Sequence, residues 1–116
     1  DANTIVREQM LVKDVLLLIT QARAGAATIV DNKKKVVGIF TDGDLRRHLK
    51  AGKDITTQKI TAVMTKNPLV IPSGRLAAEA YKILKDRKID EIPVVDSRKR
   101  PIGLLDVQDI LKAGVI

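Results

Sequence analysis

The sequence contains no cysteine and no tryptophan, and only one Phe, one Tyr and one His among 116 residues. Without cysteine there is no disulfide, no thiolate zinc site and no cysteine nucleophile. That usage is compatible with a reducing cytoplasm, which is where the protein is expected. His48 is the only histidine and has no second His or Cys to share a metal with, so it reads as a surface residue within i,i+4 reach of Asp44. The near absence of aromatic rings argues against a base-stacking platform for single-stranded nucleic acid. It also leaves the core to Ile, Leu, Val and Ala. No apolar run approaches the ~20 residues a membrane-spanning helix needs. No signal peptide is visible, and the chain does not begin with Met, so it reads as a fragment whose upstream region is missing.

The residues that are present suit a packed chain. Hydrophobic content is 45% and charged content 30%, which favours an ordered, compact fold over disorder. The formal net charge is +7. Part of it lies in two clusters, Lys33-Lys34-Lys35 and Arg98-Lys99-Arg100, each just after an Asp that ends an apolar run. Charge in that setting reads as a solvated hairpin turn, with nucleic-acid binding the less favoured alternative.

Those clusters belong to a duplication. Shifting the chain by 65 residues lays Val30, Asp31, Lys34, Gly38 and Asp44 over Val95, Asp96, Lys99, Gly103 and Asp109. Each copy reads strand, helix, strand, strand, helix, an α/β arrangement of the α+β kind. In the first copy, a short strand at Ile5-Val6 precedes a helix from about Gln9 to Arg23, with Leu11, Val15, Leu18, Ile19 and Ala22 on one face. Gly25 is expected to close that helix in a left-handed conformation. Strands follow at Ala27 to Val30 and Val36 to Phe40, then a helix after Thr41 to about Lys50. In the second copy, Leu69 to Ile71 is the short strand, and Ser73 is expected to cap a helix from Gly74 to about Arg87 with Leu76, Ala80, Ile83 and Leu84 inward. Strands at Ile92 to Val95 and Ile102 to Leu105 and a helix after Asp106 complete it. The domains are therefore 1–50, a connector 51–68 with a short helix near Ile60, and 69–116. A copy of about 50 residues buries too little surface to be stable alone, so the two are expected to pack together about a pseudo-two-fold axis.

The most informative stretch is Gly38-Ile39-Phe40-Thr41-Asp42-Gly43-Asp44, where a strand hands over to a helix. Thr41 and Asp44 fit a capping box, a sufficient structural reason for both. The same place offers a second use. Helix N-terminal N–H groups favour a phosphate, the Thr41 hydroxyl can donate to it, and Gly43 lets a ligand approach the backbone. Asp44, if turned outward, can accept ribose hydroxyls. The second copy departs from this pattern: Asp106 stands in place of Thr41 and Gln108 in place of Gly43, while Asp109 remains. The Asp106 charge opposes a phosphate at that helix start, so Asp106 and Asp109 mark a degenerate site. No constellation for acid–base, nucleophilic or metal catalysis is present; Tyr81 reads as packing.

The twice-repeated element order, the Gly-h-h-Thr-x-x-Asp pattern at 38–44 and Ile92-Pro93-Val94-Val95-Asp96 resemble a tandem cystathionine-β-synthase (CBS) domain pair. The segments at 38–49 and 104–116 are similar to the C-terminal CBS pair of bacterial D-arabinose-5-phosphate isomerases, in which a sugar-isomerase (SIS) domain carries the chemistry. The resemblance implies a non-catalytic regulatory module of an aldose–ketose isomerase of the Kdo and lipopolysaccharide precursor pathway. It implies nucleotide contacts at Ile39, Thr41, Gly43 and Asp44, with the base held by the other copy at Leu69, Glu91, Ile92 and Pro93. The implied ligands are AMP, ATP or CMP-Kdo, with no required cofactor or metal. The implied partners are the SIS domain and a second CBS pair, forming a homodimer through helices such as 74–87 and 106–113, with no membrane. The alternative is a structural dimerisation module without a ligand.

Overall fold

The computed structural model describes residues 4–75 and 77–112, with Ala77, Asp109 and Lys112 described by backbone alone. The chain divides into two compact units, Asp1–Pro68 and Leu69–Ile116. Each is a βαββα repeat. The first contains β1 (Thr4–Arg7), α1 (Val12–Ala22), β2 (Ala26–Val30), β3 (Val36–Thr41) and α2 (Asp42–Lys50). It is extended by a short 3₁₀ helix at Ile60–Ala62 and by β4 (Thr65–Lys66). The second contains β5 (Ile71–Pro72), α3 (Ala77–Arg87), β6 (Glu91–Val95), β7 (Pro101–Asp106) and α4 (Val107–Lys112).

The sheets are ordered β1-β2-β3-β4 and β5-β6-β7. In each, the first pairing is parallel across a helix and the next is an antiparallel hairpin. Registers repeat with the sequence shift: Val6 lies beside Ile29 and Ile71 beside Val94. The second short strand therefore starts at Ile71, two residues later than the sequence pattern suggests, and Leu69 falls outside it. Because alternate strand residues face opposite sides, Val6, Ala27, Ile29 and Phe40 form one face. They join Val12, Val15 and Ile19 of α1 in a core with Ile55 and Ile60. The second unit repeats this with Ile71, Ala80, Leu84, Ile92 and Ile110. Leu49 of α2 and Leu111 of α4 are exposed.

Helix ends also depart from expectation, for identifiable reasons. α1 begins at Val12 and not Gln9, and its N-cap Leu11 offers no side-chain hydrogen bond. The first free N–H groups, on Val12 and Lys13, donate instead to the carbonyls of Gln58 (2.8 Å) and Thr56 (3.0 Å). Residues 51–60, which read as a linker, thus supply the cap that α1 lacks. At the other end the left-handed residue is Arg23 (φ 54°), not Gly25, and Lys88 (φ 55°) repeats it in the second unit. The Ala24 N–H returns to Ile19 O and the Ile89 N–H to Leu84 O, both at 3.0 Å, and these closing bonds hold a non-glycine residue in that conformation. The start of α3 adjoins Leu76, which lies outside the described residues, and the expected Ser73 cap lies there with it. The Ser73 N–H donates to Val95 O at 2.9 Å, at the end of the β5–β6 pairing and ahead of the turn at Gly74.

The basic turns have a common anchor. Asp31 Oδ1 accepts the N–H groups of Lys33 (2.9 Å) and Lys35 (3.0 Å), and Asp96 Oδ1 accepts those of Arg98 (2.8 Å) and Arg100 (3.0 Å). The bond from the Lys35 N–H, and in the second turn that from the Arg100 N–H, is the leading cause that holds each carboxyl below its ordinary value of 3.8. Each turn's contribution to stability is therefore fully present above that value and lost as pH falls through the lower folded value. Thermal melts between pH 5 and 2 should show a steeper acid loss for the parent chain than for an Asp31→Ala, Asp96→Ala double variant. Equal slopes would mean the turns add nothing.

One buried group is out of keeping with the core. Thr28 is fully buried, and its hydroxyl has no partner among the described residues. Thr28→Val keeps the shape and removes an unpaired polar atom, so it should stabilise the chain by ~1–2 kcal/mol in urea unfolding. A loss of stability would show that the hydroxyl is satisfied.

Candidate functional site

The junction of β3 and α2 concentrates the polar chemistry of the first unit. The last β3 residue, Thr41, is extended (φ −120°, ψ 166°) and serves as N-cap of α2. The Thr41 Oγ1 accepts the Asp44 N–H at 3.2 Å, and Asp44 Oδ2 accepts the Thr41 N–H at 2.9 Å. The sequence-predicted capping box is therefore formed reciprocally. The Asp42 N–H, first in the helix, donates to Gly25 O at 3.0 Å. Gly25 thus serves this junction through its carbonyl instead of closing α1.

Asp44 points inward and not towards solvent. Its side chain is 9% exposed, and Oδ1 accepts from an Arg47 guanidinium nitrogen. His48, the residue suggested by i,i+4 spacing, does not hold that position; Arg47 at i,i+3 does. Both Asp44 oxygens are thus engaged within the first two turns of α2.

Polar groups also gather above half-buried Gly43. A Cβ built there would meet Thr41 Oγ1 at 3.5 Å, an Arg47 nitrogen at 3.6 Å and an Arg46 nitrogen at 3.8 Å, all ordinary contacts. A hydroxyl whose own proton is still available to donate, a first-turn N–H and two guanidinium groups converge on one small patch. That combination can hold an oxyanion, against the opposing charge of exposed Asp42. Arg46 and Arg47 were not singled out from the sequence, although the Asp44–Arg47 spacing is a legible helix pair. Gly38, upstream, has a packing reason: a Cβ there would lie 2.3 Å from Met64 Sδ. Its repeat partner Gly103 has no such neighbour, since a Cβ there would meet only Val94 at 3.8 Å.

Ile39 is nearly buried on β3, opposite Thr28 and Thr65. In the second unit, Leu69 precedes β5 and is 40% exposed. Glu91, Ile92 and Pro93 open β6, and their side chains alternate. Ile92 points into the core with Ile71, Leu84 and Ile110, so only its backbone is available to a ligand. Pro93 is fully buried, and Glu91 lies in register with Asp106.

The equivalent junction of the second unit repeats the backbone and not the chemistry. The Val107 N–H donates to Asp90 O at 2.9 Å, as Asp42 does to Gly25 O. Asp106 holds the Thr41 position and is itself engaged in an interaction. Gln108 is exposed, and the Asp109 side chain lies outside the described residues. Among the described residues there is no group of three or more potential metal ligands, and no helix long and apolar enough to cross a membrane. Tyr81 packs against the second core, as expected.

Comparison with known proteins gives concordant results. The CBS domain family profile matches residues 3–51 and 60–116. The arabinose 5-phosphate isomerase KdsD of Pseudomonas aeruginosa is 44% identical over 101 residues, which is 87% of this chain and 31% of that protein. The chain thus spans about a third of the length of the curated relatives it matches. Among solved structures, the CBS domain pair of protein MJ0100, in complex with 5′-methylthioadenosine and S-adenosyl-L-methionine, superposes with a TM-score of 0.85 at 22% identity. The match covers 98% of this chain and 93% of that one. The CBS domain protein PAE2072 from Pyrobaculum aerophilum, complexed with AMP, gives 0.85 at 16% identity, covering 94% and 83%. At these identities the structural matches speak for the fold alone.

Proposed function

The chain belongs to the CBS domain family, and from that premise we propose that it is a nucleotide-sensing regulatory module. It carries no catalytic constellation among its described residues. In this reading the catalysis belongs to a sugar-isomerase (SIS) domain elsewhere in a D-arabinose-5-phosphate isomerase of the lipopolysaccharide precursor pathway. The identity to a KdsD isomerase along 101 residues supports that assignment. The credible ligand site is the β3–α2 junction, where the Thr41 hydroxyl and Gly43 N–H receive a phosphate and Asp44 receives the ribose. The observation that supports it is the convergence of the Arg46 and Arg47 guanidinium groups and the Thr41 hydroxyl around Gly43. The degenerate junction at Asp106 is the poorer phosphate site, because the Asp106 charge opposes a phosphate at that helix start.

An adenine nucleotide, AMP or ATP, is the favoured ligand, since relatives of this fold have been solved with adenine compounds. CMP-Kdo is the end-product alternative for the proposed pathway. Calorimetry with all three tests the reading. Saturable heat with one of them supports it and names the class; no heat and no thermal shift at millimolar ligand removes it.

A structural reading is favoured by one observation: the Asp44 carboxylate is wholly engaged in capping and in the Arg47 pair. On this reading the pair is a homodimerisation module without a ligand. A concentration-independent monomer in sedimentation would sink it.

A further inference from the structure

We propose that Arg47 is an exchangeable latch on Asp44, released by the phosphate of an incoming nucleotide, so that the site selects nucleoside phosphates over uncharged nucleosides. The proposal rests on the nucleotide reading of the β3–α2 junction given above and adds how that site discriminates.

Three features of the junction lead to it. First, the two oxygens of Asp44 are held in different ways. Oδ2 accepts the Thr41 N–H as half of the capping box, and giving it up would unmake the start of α2. Oδ1 accepts only from Arg47, whose side chain is 70% exposed and can swing away at little cost. Oδ1 is therefore the ribose acceptor that can be vacated. Second, the same guanidinium reaches the other half of the site. One of its nitrogens lies 3.6 Å from where a Gly43 Cβ would be, beside Thr41 Oγ1, while another is on Asp44. Arg47 thus spans the carboxylate and the place proposed for phosphate, with Arg46 alongside. Third, a guanidinium carries five N–H donors and binds phosphate in a fork. A phosphate carrying more charge than one carboxylate draws Arg47 off Asp44, and Oδ1 is then open to a ribose hydroxyl. A nucleoside without phosphate must break the same ion pair and offers nothing in return.

The charges that bear on this exchange are few. Asp42, exposed at the first helical position, opposes the phosphate, while Arg46 favours it. Those two are unaltered when Arg47 alone is changed, so the effect of Arg47 is separable.

The test uses the 116-residue chain with AMP and adenosine as probes, comparing parent, Arg47→Met and Arg47→Lys by calorimetry. Methionine keeps the aliphatic stem and removes the fork. The latch predicts opposite movements: AMP binding weakens about tenfold or more in Arg47→Met, from loss of a charge-assisted contact, while adenosine binding tightens because the ion pair it had to break is gone; adenosine left unchanged would mean a phosphate contact without a latch. Arg47→Lys falls between. An equal loss for both probes overturns the exchange, as does no change for either. If the parent binds neither probe and also gives no heat with ATP or CMP-Kdo, the nucleotide reading itself fails and the exchange falls with it. If the parent binds AMP and the ratio does not move, only the latch is refuted. A ligand-free check stands beside this: urea midpoints of Asp44→Asn, Arg47→Met and the double variant should be non-additive. Strict additivity would mean the ion pair is not formed in solution, which also overturns the latch.

Discussion

Replacing Phe40 with Ala should lower the unfolding free energy by about 3–5 kcal/mol, the range for deleting a fully buried aromatic ring. Phe40 is 0% exposed and is the only phenylalanine in the chain. In the first core it meets small and branched aliphatic residues: Ala27 beside it on β2, Val12, Val15 and Ile19 from α1, and Ile55 and Ile60 from the connector. None of these is long enough to collapse into the space of a benzyl group, so most of the cavity would persist. Typical domains are stable by about 5–15 kcal/mol, so the variant would lose roughly a fifth or more of its stability. The effect extends to function because Phe40 immediately precedes Thr41, and the strand that it anchors aims the capping box. Urea denaturation measures the loss. A cost below about 1 kcal/mol would mean that the core repacks around the gap. Leu49→Ala, on the exposed side of α2, is the control and should stay within about 0.5 kcal/mol.

Asp44→Ala should be the most informative change at the site, because it separates the two uses of one carboxylate. It leaves the Thr41 N–H without its acceptor, opens the capping box and frees Arg47. The lost cap and the part-buried orphan donor together cost about 1.5–3 kcal/mol. The ion pair adds no more than about 0.5 kcal/mol of this, because Arg47 is largely in water. Asp44→Asn retains a carbonyl acceptor for the Thr41 N–H and should cost less than about 1 kcal/mol. Under the proposed function, AMP binding is lost in Asp44→Ala even where the protein is fully folded, since the ribose acceptor is gone. A variant that is destabilised yet binds AMP as well as the parent would show that Asp44 is a cap and nothing more.

The duplication and the element order were legible in the sequence because they are written in local terms. Apolar spacing set α1 and α3, β-branched runs bounded by Asp-Asn and Asp-Ser set the hairpins, and Thr41 with Asp44 at three-residue spacing set the cap of α2. Such signals depend on neighbours within a turn or two of the chain. They carried over to detail, since the Asp31 and Asp96 turns form the same hydrogen bonds.

Features governed by distant partners could not be read that way. The start of α1 depends on carbonyls at Thr56 and Gln58, more than forty residues away. The left-handed residue is Arg23 because its closing bonds fall there, although Gly25 is the residue with the lower intrinsic cost. Gly38 is a glycine where Met64 lies against it. Ile92 belongs to a core because of strand register, which its place in the sequence does not reveal.

The site itself divides along the same line. The sequence alone determined that a hydroxyl, a glycine and a carboxylate meet at the head of α2, and that the second copy has lost the first two. Only the tertiary structure decided where the carboxylate points. The orientation of Asp44 is set by three partners at once, the Thr41 N–H, the Arg47 guanidinium and the burial around them, and residue spacing does not rank those interactions. It turns Asp44 inward and engages both its oxygens, one with the Thr41 N–H and the other with Arg47.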